Sequence, residues 1–456
     1  MIRPFELEEL ALATRGHLAG SNLLVSSVST DSRKLAEGAL FVALQGENFD
    51  GHDFIEQALS QGAEAVMINR SMDFDIPQLV VEDTQLGLGQ IAQFNRELFR
   101  GPIVGLTGST GKTGTKEMLA SILRCKHEVL ATEGNFNNEI GVPLTLLGLQ
   151  AEHRFAVVEM GASKSGDIAY LAAMVKPDVA LVTNVMPAHV AGFGSLEKLA
   201  ATKKSIYSAL PEGGTAVVNL DDQTTASWLS EVGKNRSLCF STSNTEADVY
   251  AVDVAVQACE GSRFTLVTPA YSVDVTLKLL GRHQISNALA AAACAYALDL
   301  DAEDIANGLA QVSAVAGRMC PLPGKNETLL IDDSYNASPG AMKAAIEELA
   351  SRDSTRILVI GQMAELGADE ERYHRDVGTQ AKQAGIEHLL ALGPLAGVAA
   401  DAFGPNGKQF DSVTDLAGAC LALMNSGTAV LVKGSRSARM ERVVAELVDS
   451  QIGEVH

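Results

Sequence analysis

Short apolar runs recur at 102–106, 155–159, 179–183 and 215–218, and stretches of helical pattern separate them. Such alternation predicts a largely parallel sheet flanked by helices. Ahead of it, residues 1–83 carry shorter runs and turns that end in a strand at 78–83, and a helical stretch at 86–99 leads into the sheet. Beyond it, turn residues separate strands at 249–256, 263–267 and 273–280, which predict antiparallel strands added to the same sheet. An alanine-rich helix follows at 287–298, and then Gly317 and the cluster Pro321, Pro323 and Gly324 interrupt the pattern. Alternation restarts with strands at 329–331, 357–360, 389–392 and 430–432, as in a doubly wound unit. The expectation is an α/β protein of three domains, at 1–84, 85–316 and 317–456.

Composition narrows the class. With 456 residues, 46% of them apolar, the chain can bury a large core and should form about three domains at ~150 residues each. A formal charge of −21 repels nucleic acid and anionic membranes, so neither is an expected partner, while small anions remain open at local basic sites. The cysteines at 125, 239, 259, 294, 320 and 420 form no C-x-x-C pair and predict buried free thiols in a reducing compartment. No apolar stretch reaches about 18 residues, and the first residues lack a long apolar run, so no membrane insertion and a cytoplasmic location are expected.

The sharpest chemical signal lies where the 102–106 strand turns into helix: Gly105-Leu106-Thr107-Gly108-Ser109-Thr110-Gly111-Lys112-Thr113. Glycines 108 and 111 let backbone N–H groups converge on phosphate oxygens, Lys112 can reach terminal phosphates, and the Thr113 hydroxyl is placed to hold Mg²⁺. Leu106 occupies the position of the first glycine in the strict G-x-x-x-x-G-K-[ST] form.

Other candidates cluster at strand ends. Glu159 ends the 155–159 strand, where open α/β sheets place ligands, and there a carboxylate either holds a metal or caps the next helix. His189, in the loop after 179–185, is the nearest further metal candidate, although a lone loop histidine is more often simply hydrogen bonded. Lys203 and Lys204 fall in a helical run at 196–210, where a solvated face is the plain reading and the one kept for Lys204. Arg318, beside the second boundary, is placed to reach nucleotide phosphates or is an ordinary surface arginine. Asp332 and Asp333 end a strand and run into Ser334-Tyr335-Asn336-Ala337-Ser338-Pro339, a site-like turn in which helix capping competes. Lys433-Gly434-Ser435-Arg436 gives another strand end a basic character suited to an anionic substrate group.

Blocks spanning nearly the whole chain, in order, resemble the Mur ligases of peptidoglycan synthesis, most closely the MurF type. They are Asp31-Ser32-Arg33 with 38–44 and 49–52, the phosphate loop with Lys116-Glu117-Met118, 134–143, Glu159-Met160-Gly161-Ala162, 184–189 with 192–195, Gly281-Arg282-His283 with Asn287-Ala288-Leu289, 332–339 and 433–439. The resemblance implies an N-terminal domain for a uridine diphosphate end, a central P-loop ATPase and a C-terminal Rossmann-like domain for the incoming amino compound. It implies ATP-dependent ligation of D-Ala-D-Ala to UDP-N-acetylmuramoyl-tripeptide through an acyl phosphate, by a monomer using two Mg²⁺ ions.

By position, the resemblance also implies that Lys203 is carbamylated by CO₂ and joins Thr113, Glu159 and His189 around the metals. Lys112, Lys203, His189 and Arg318 would carry the chemistry. Residues 108–113, Asn287 and Arg318 would contact ATP, with Asp333 near its ribose. Ser29, Thr30, Ser32 and Arg33 would face the uridine diphosphate, and Asn135, Asn137 and Asn138 the muramoyl-peptide. Tyr335, Asn336, Lys433 and Arg436 complete the substrate-binding set. Gly114, Gln284, Ser338 and Gln362 depart from the family pattern, and none of them removes a metal or phosphate ligand. The competing readings are another amide ligase of the superfamily and a nucleotide-dependent switch; a switch has no need of the UDP-sugar block or a third domain.

Overall fold

Strands Ile103–Thr107, Phe155–Glu159, Val179–Val182 and Thr215–Asn219 are buried at every position. Apolar side chains cover both of their faces because helices pack on each side, the usual condition of a parallel sheet. They belong to a computed structural model that describes the chain except 47–48, 187–192, 234, 258–260 and 450–456.

The central sheet has nine strands, in the order 272–277, 261–267, 249–257, 236–241, 215–219, 179–182, 103–107, 155–159 and 129–131. Its first three strands run antiparallel to their neighbours as 272–277, 261–267 and 249–257, and every other pairing is parallel. From Ile103–Thr107 the chain fills one side of the sheet with 129–131 and 155–159, then crosses to the other with 179–182. That reversal opens a crevice at the carboxyl end of Ile103–Thr107, the place where such sheets bind ligands.

A five-stranded sheet of residues 17–80 precedes this unit, and a six-stranded sheet follows in the order 320–324, 328–333, 428–433, 355–360, 388–392 and 407–410. In the last sheet, parallel pairing places Asp333 directly opposite Lys433. The helix His283–Ala297 starts one turn earlier than the sequence pattern indicates. Its run of buried alanines packs on the phosphate-loop helix Lys112–Arg124, because small side chains let two helices approach closely.

Several features differ from expectation: a strand, Cys320–Gly324, runs through the proline and glycine cluster read as a break, and an edge strand, Gly407–Phe410, was not expected. Strands Val129–Ala131 and Arg236–Ser241 were not foreseen: the first is three residues long at a sheet edge, and the second begins with two exposed polar residues. The helical run at 196–210 stops at Lys204 and gives way to a 3₁₀ turn, Tyr207–Ala209. Pro211 sets the end of the whole run, since the residue before a proline is pushed out of the helical region and Leu210 is extended. Among the described cysteines all are free, with Cys294 and Cys420 buried and Cys125, Cys239 and Cys320 partly so; Cys259 lies outside the described residues. Among the described residues, no helix is long and apolar enough to cross a membrane.

Candidate active site

A cavity of about 930 Å³ opens over the switch point of the central sheet and is closed on its far side by the C-terminal sheet. The central unit lines it with residues 108–114, Glu159, Lys203 and Asn287. The C-terminal unit adds Arg318, Asp333, Tyr335, Asn336, Lys433 and Arg436.

The loop that leaves Ile103–Thr107 needs its glycines. At Gly108 a Cβ would collide with the Thr183 hydroxyl, and at Gly111, which has φ +79°, it would collide with the Asn287 amide. Gly111 caps the helix Lys112–Arg124, so the positive end of that helix points into the cavity. Asn184 holds the loop: its carbonyl accepts from Ser109 N–H at 2.9 Å, and its Oδ1 accepts from Thr110 N–H at 3.1 Å. Thr183 adds a hydroxyl bond to the Thr110 carbonyl at 2.6 Å.

Beneath the loop sits a carboxylate without a cation. Glu159 is 1% exposed; Oε2 accepts from the Thr113 hydroxyl at 2.8 Å and Oε1 from the Asn137 amide at 2.7 Å. Among the described residues no ion pair is formed by it. Lys112 and Lys203 each donate to the carbonyl oxygen of Gly108 at 2.9 Å. Burial lowers the pKa of Lys112, with Arg318 adding to the effect and Glu159 opposing it. Lys203 is driven well below the usual amine range by burial, and the neighbouring Lys112 charge pushes the same way. Lys203 does not lie on a solvated face: its side chain points inward and is 4% exposed.

On the opposite wall, Lys433 Nζ donates to Asp333 Oδ2 at 2.7 Å and to the Asn336 carbonyl at 2.9 Å, as their facing positions in the sheet require. Burial raises the Asp333 pKa against the pull of that lysine. His283, at the start of its helix, is pushed down to about 4 by burial and by the charge of Lys433, so its ring is neutral. The Arg318 guanidinium lies over the Tyr335 ring, 4.2 Å from its centre.

Not every expected residue meets here. Asn137 and Asn138 line the cavity, but Asn135 is exposed and off it. Ser29, Thr30, Ser32 and Arg33 lie in and after the edge strand of the N-terminal sheet, away from this cavity. There Ser32 donates to Gln57 at 2.8 Å and Arg33 pairs with Asp31 at 2.8 Å. His189 lies outside the described residues. Asn184 and His283 line the cavity unforeseen, although Asn184 stands at a strand's carboxyl end, the signal that singled out Glu159.

Two departures from the family pattern sit together. The Gln284 amide oxygen accepts from Asn287 at 2.9 Å, and a Cβ on Gly114 would come within 3.5 Å of that oxygen and 3.3 Å of Asn287 Nδ2. The missing side chain at 114 leaves room for the longer one at 284. Ser338 caps the helix Pro339–Ala350.

Three family models match in succession: "Mur ligase family, catalytic domain" at 24–93, "Mur ligase middle domain" at 106–295 and "Mur ligase, glutamate ligase domain" at 317–436. The UDP-N-acetylmuramoyl-tripeptide–D-alanyl-D-alanine ligase of Escherichia coli K12 is 44% identical over 446 residues, covering 97% of this chain and 98% of that protein. A crystal structure of MurF from Acinetobacter baumannii is similar with a TM-score of 0.92 at 35% identity, covering 98% of this chain and 99% of that one. A MurF ligase from Thermotoga maritima in complex with ADP superimposes with a TM-score of 0.81 at 31% identity, covering 92% and 96%.

Proposed function

This chain belongs to the Mur ligase family, and from that premise we propose that its cavity joins D-Ala-D-Ala to UDP-N-acetylmuramoyl-tripeptide, converting ATP to ADP and phosphate. The relatives that match it end to end carry that activity in their names, and an ADP complex of one of them supports the use of ATP. The carrying observation is the meeting of Lys112, Lys203, Glu159, Thr113 and Arg318 on one cavity between two sheets. Residues 85–316 would hold ATP, 1–84 the uridine diphosphate end and 317–456 the dipeptide.

A carboxylate is a poor electrophile, so the tripeptide's terminal carboxylate oxygen attacks the γ-phosphorus and ADP leaves. The neutral dipeptide amine then attacks the acyl carbon and loses a proton, the acyl C–O bond breaks, and phosphate leaves carrying the former carboxylate oxygen. Two anions must first be brought together. The loop's N–H groups, the helix end, Lys112 and Arg318 supply positive potential where that charge gathers, and fixed positioning contributes much of the acceleration. Closing the C-terminal sheet over the crevice excludes water that would hydrolyse the acyl phosphate.

Glu159 and Thr113 fit a divalent metal, because a buried carboxylate served only by a hydroxyl and an amide lacks the positive charge that burial demands. Mg²⁺ there would neutralise phosphate charge. His189 would add a further ligand. Lys203 fits carbamylation. Burial and the Lys112 charge lower its pKa and so favour the neutral amine, the form that adds to the carbon of CO₂ and, on losing a proton, becomes an anionic carbamate. The carbamate would turn repulsion from Lys112 into attraction and would offer the metal an oxygen ligand beside Glu159 and Thr113. Substrates of this kind fit work in the cytoplasm.

The test is phosphate release in the presence of ATP and Mg²⁺ with each substrate omitted in turn. Release should need both the UDP-linked tripeptide and the dipeptide, and release with either alone would overturn the ligase reading in favour of a nucleotide-dependent switch.

A further inference from the structure

We propose that Tyr335 is a positioning residue that orients Arg318 toward the transferred phosphoryl group by stacking beneath its guanidinium; the inference rests on the ligase reading above. Arg318 sits in the segment joining the central and C-terminal sheets, and its backbone is fixed on both sides. Gly317 N–H donates to Asp332 Oδ2 at 3.0 Å, Met319 N–H donates to Asp333 Oδ1 at 3.2 Å, and Tyr335 N–H returns a bond to the Gly317 carbonyl at 3.0 Å. Gly317 has φ +74°, and a Cβ there would stand 3.1 Å from Tyr335 Cβ, so linker and strand end touch.

The side chain of Arg318 is held differently. Among the described residues it forms no ion pair and no side-chain hydrogen bond, and its contact is the Tyr335 ring at 4.2 Å. A carboxylate partner would have neutralised the guanidinium and would have to be displaced before it met phosphate. A ring face fixes the plane of the group while leaving all five N–H donors at its edge free for an anion. The guanidinium of Arg436 reaches the same ring at 5.9 Å, and both arginines line the cavity. One aromatic ring therefore carries a cation from the linker and a cation from the loop after Thr428–Lys433.

The role separates from a simple substrate contact through three variants. Tyr335→Leu should lower kcat about tenfold, the size of a desolvated cation–π contact, and Tyr335→Phe should recover activity to within about threefold of the parent. With Arg318→Lys already in place, adding Tyr335→Leu should cost less than about twofold, since residues acting as one unit are not additive. Calorimetry gives a readout apart from turnover. Tyr335→Leu should lose the parent's preference for the β,γ-imido analogue of ATP over ADP, and Tyr335→Phe should keep it. The proposal is overturned if the phenylalanine variant is as poor as the leucine one, if the leucine variant weakens ADP and the analogue equally, or if the two substitutions are additive. A parent protein that discriminates the analogue through Tyr335 but ligates nothing would sink the ligase reading and leave this one standing.

Discussion

Lys112 and Lys203, 91 positions apart in the chain, donate to one carbonyl oxygen, that of Gly108, each at 2.9 Å. Two ammonium groups on a single buried acceptor repel strongly, because little water screens them. Burial and the Lys112 charge both push the Lys203 pKa down, so the conflict weighs against the ammonium form there. The neutral amine is the form of a lysine that reacts with CO₂.

Replacing Lys203 tests whether a carbamate or a cation is needed. Lys203→Ala should fold normally and lose about 10²-fold or more in ligation rate, the scale of losing a fixed electrostatic contributor. Added formate or acetate should restore part of the activity by supplying the missing carboxylate. Lys203→Arg keeps a positive charge and cannot be carbamylated, so an active arginine variant would remove the carbamate from the account.

Glu159→Gln should separate activity from stability. The amide retains hydrogen-bonding capacity toward Thr113 and Asn137 and removes a buried charge, so thermal unfolding should occur at the same temperature or higher. Ligation should fall about 10²-fold or more because the hard anionic ligand is gone. Unfolding at a clearly lower temperature would show that Glu159 is mainly structural.

His283 sets an acid limit on stability. Its folded pKa of about 4 lies below the ordinary 6.5, so above pH 6.5 the ring is neutral in both states and contributes no pH dependence. As pH falls from 6.5 toward 4, the unfolded chain takes a proton that the folded one refuses, and stability declines by up to about 3 kcal/mol. His283→Gln should flatten that part of the stability curve. Urea titrations at several pH values that give the parent and the variant equal slopes would contradict the assignment.

The alternation of strands and helices was legible because buried strands are apolar throughout, and each expected strand of the two large sheets lies within a few residues of its place. The phosphate loop was legible because glycine, lysine and threonine at fixed spacing leave few other uses. What the sequence hid was long-range. That Lys203 turns inward depends on how the helix Leu196–Lys204 docks, and its two adjacent lysines look alike in a helical pattern. The Asp333–Lys433 pair follows from the register of two strands 100 positions apart, and the Tyr335 contact with Arg318 from a turn's conformation. Strand Val129–Ala131 escaped notice because three residues carry too little pattern.

The most direct measurement is the mass of the product formed from UDP-N-acetylmuramoyl-tripeptide, ATP and Mg²⁺ when either D-Ala-D-Ala or single D-alanine is offered. UDP-N-acetylmuramoyl-pentapeptide should form with the dipeptide, one phosphate appearing for each peptide bond, and D-alanine alone should give no product. A tetrapeptide made from single D-alanine, or phosphate released without any peptide product, would contradict the assignment.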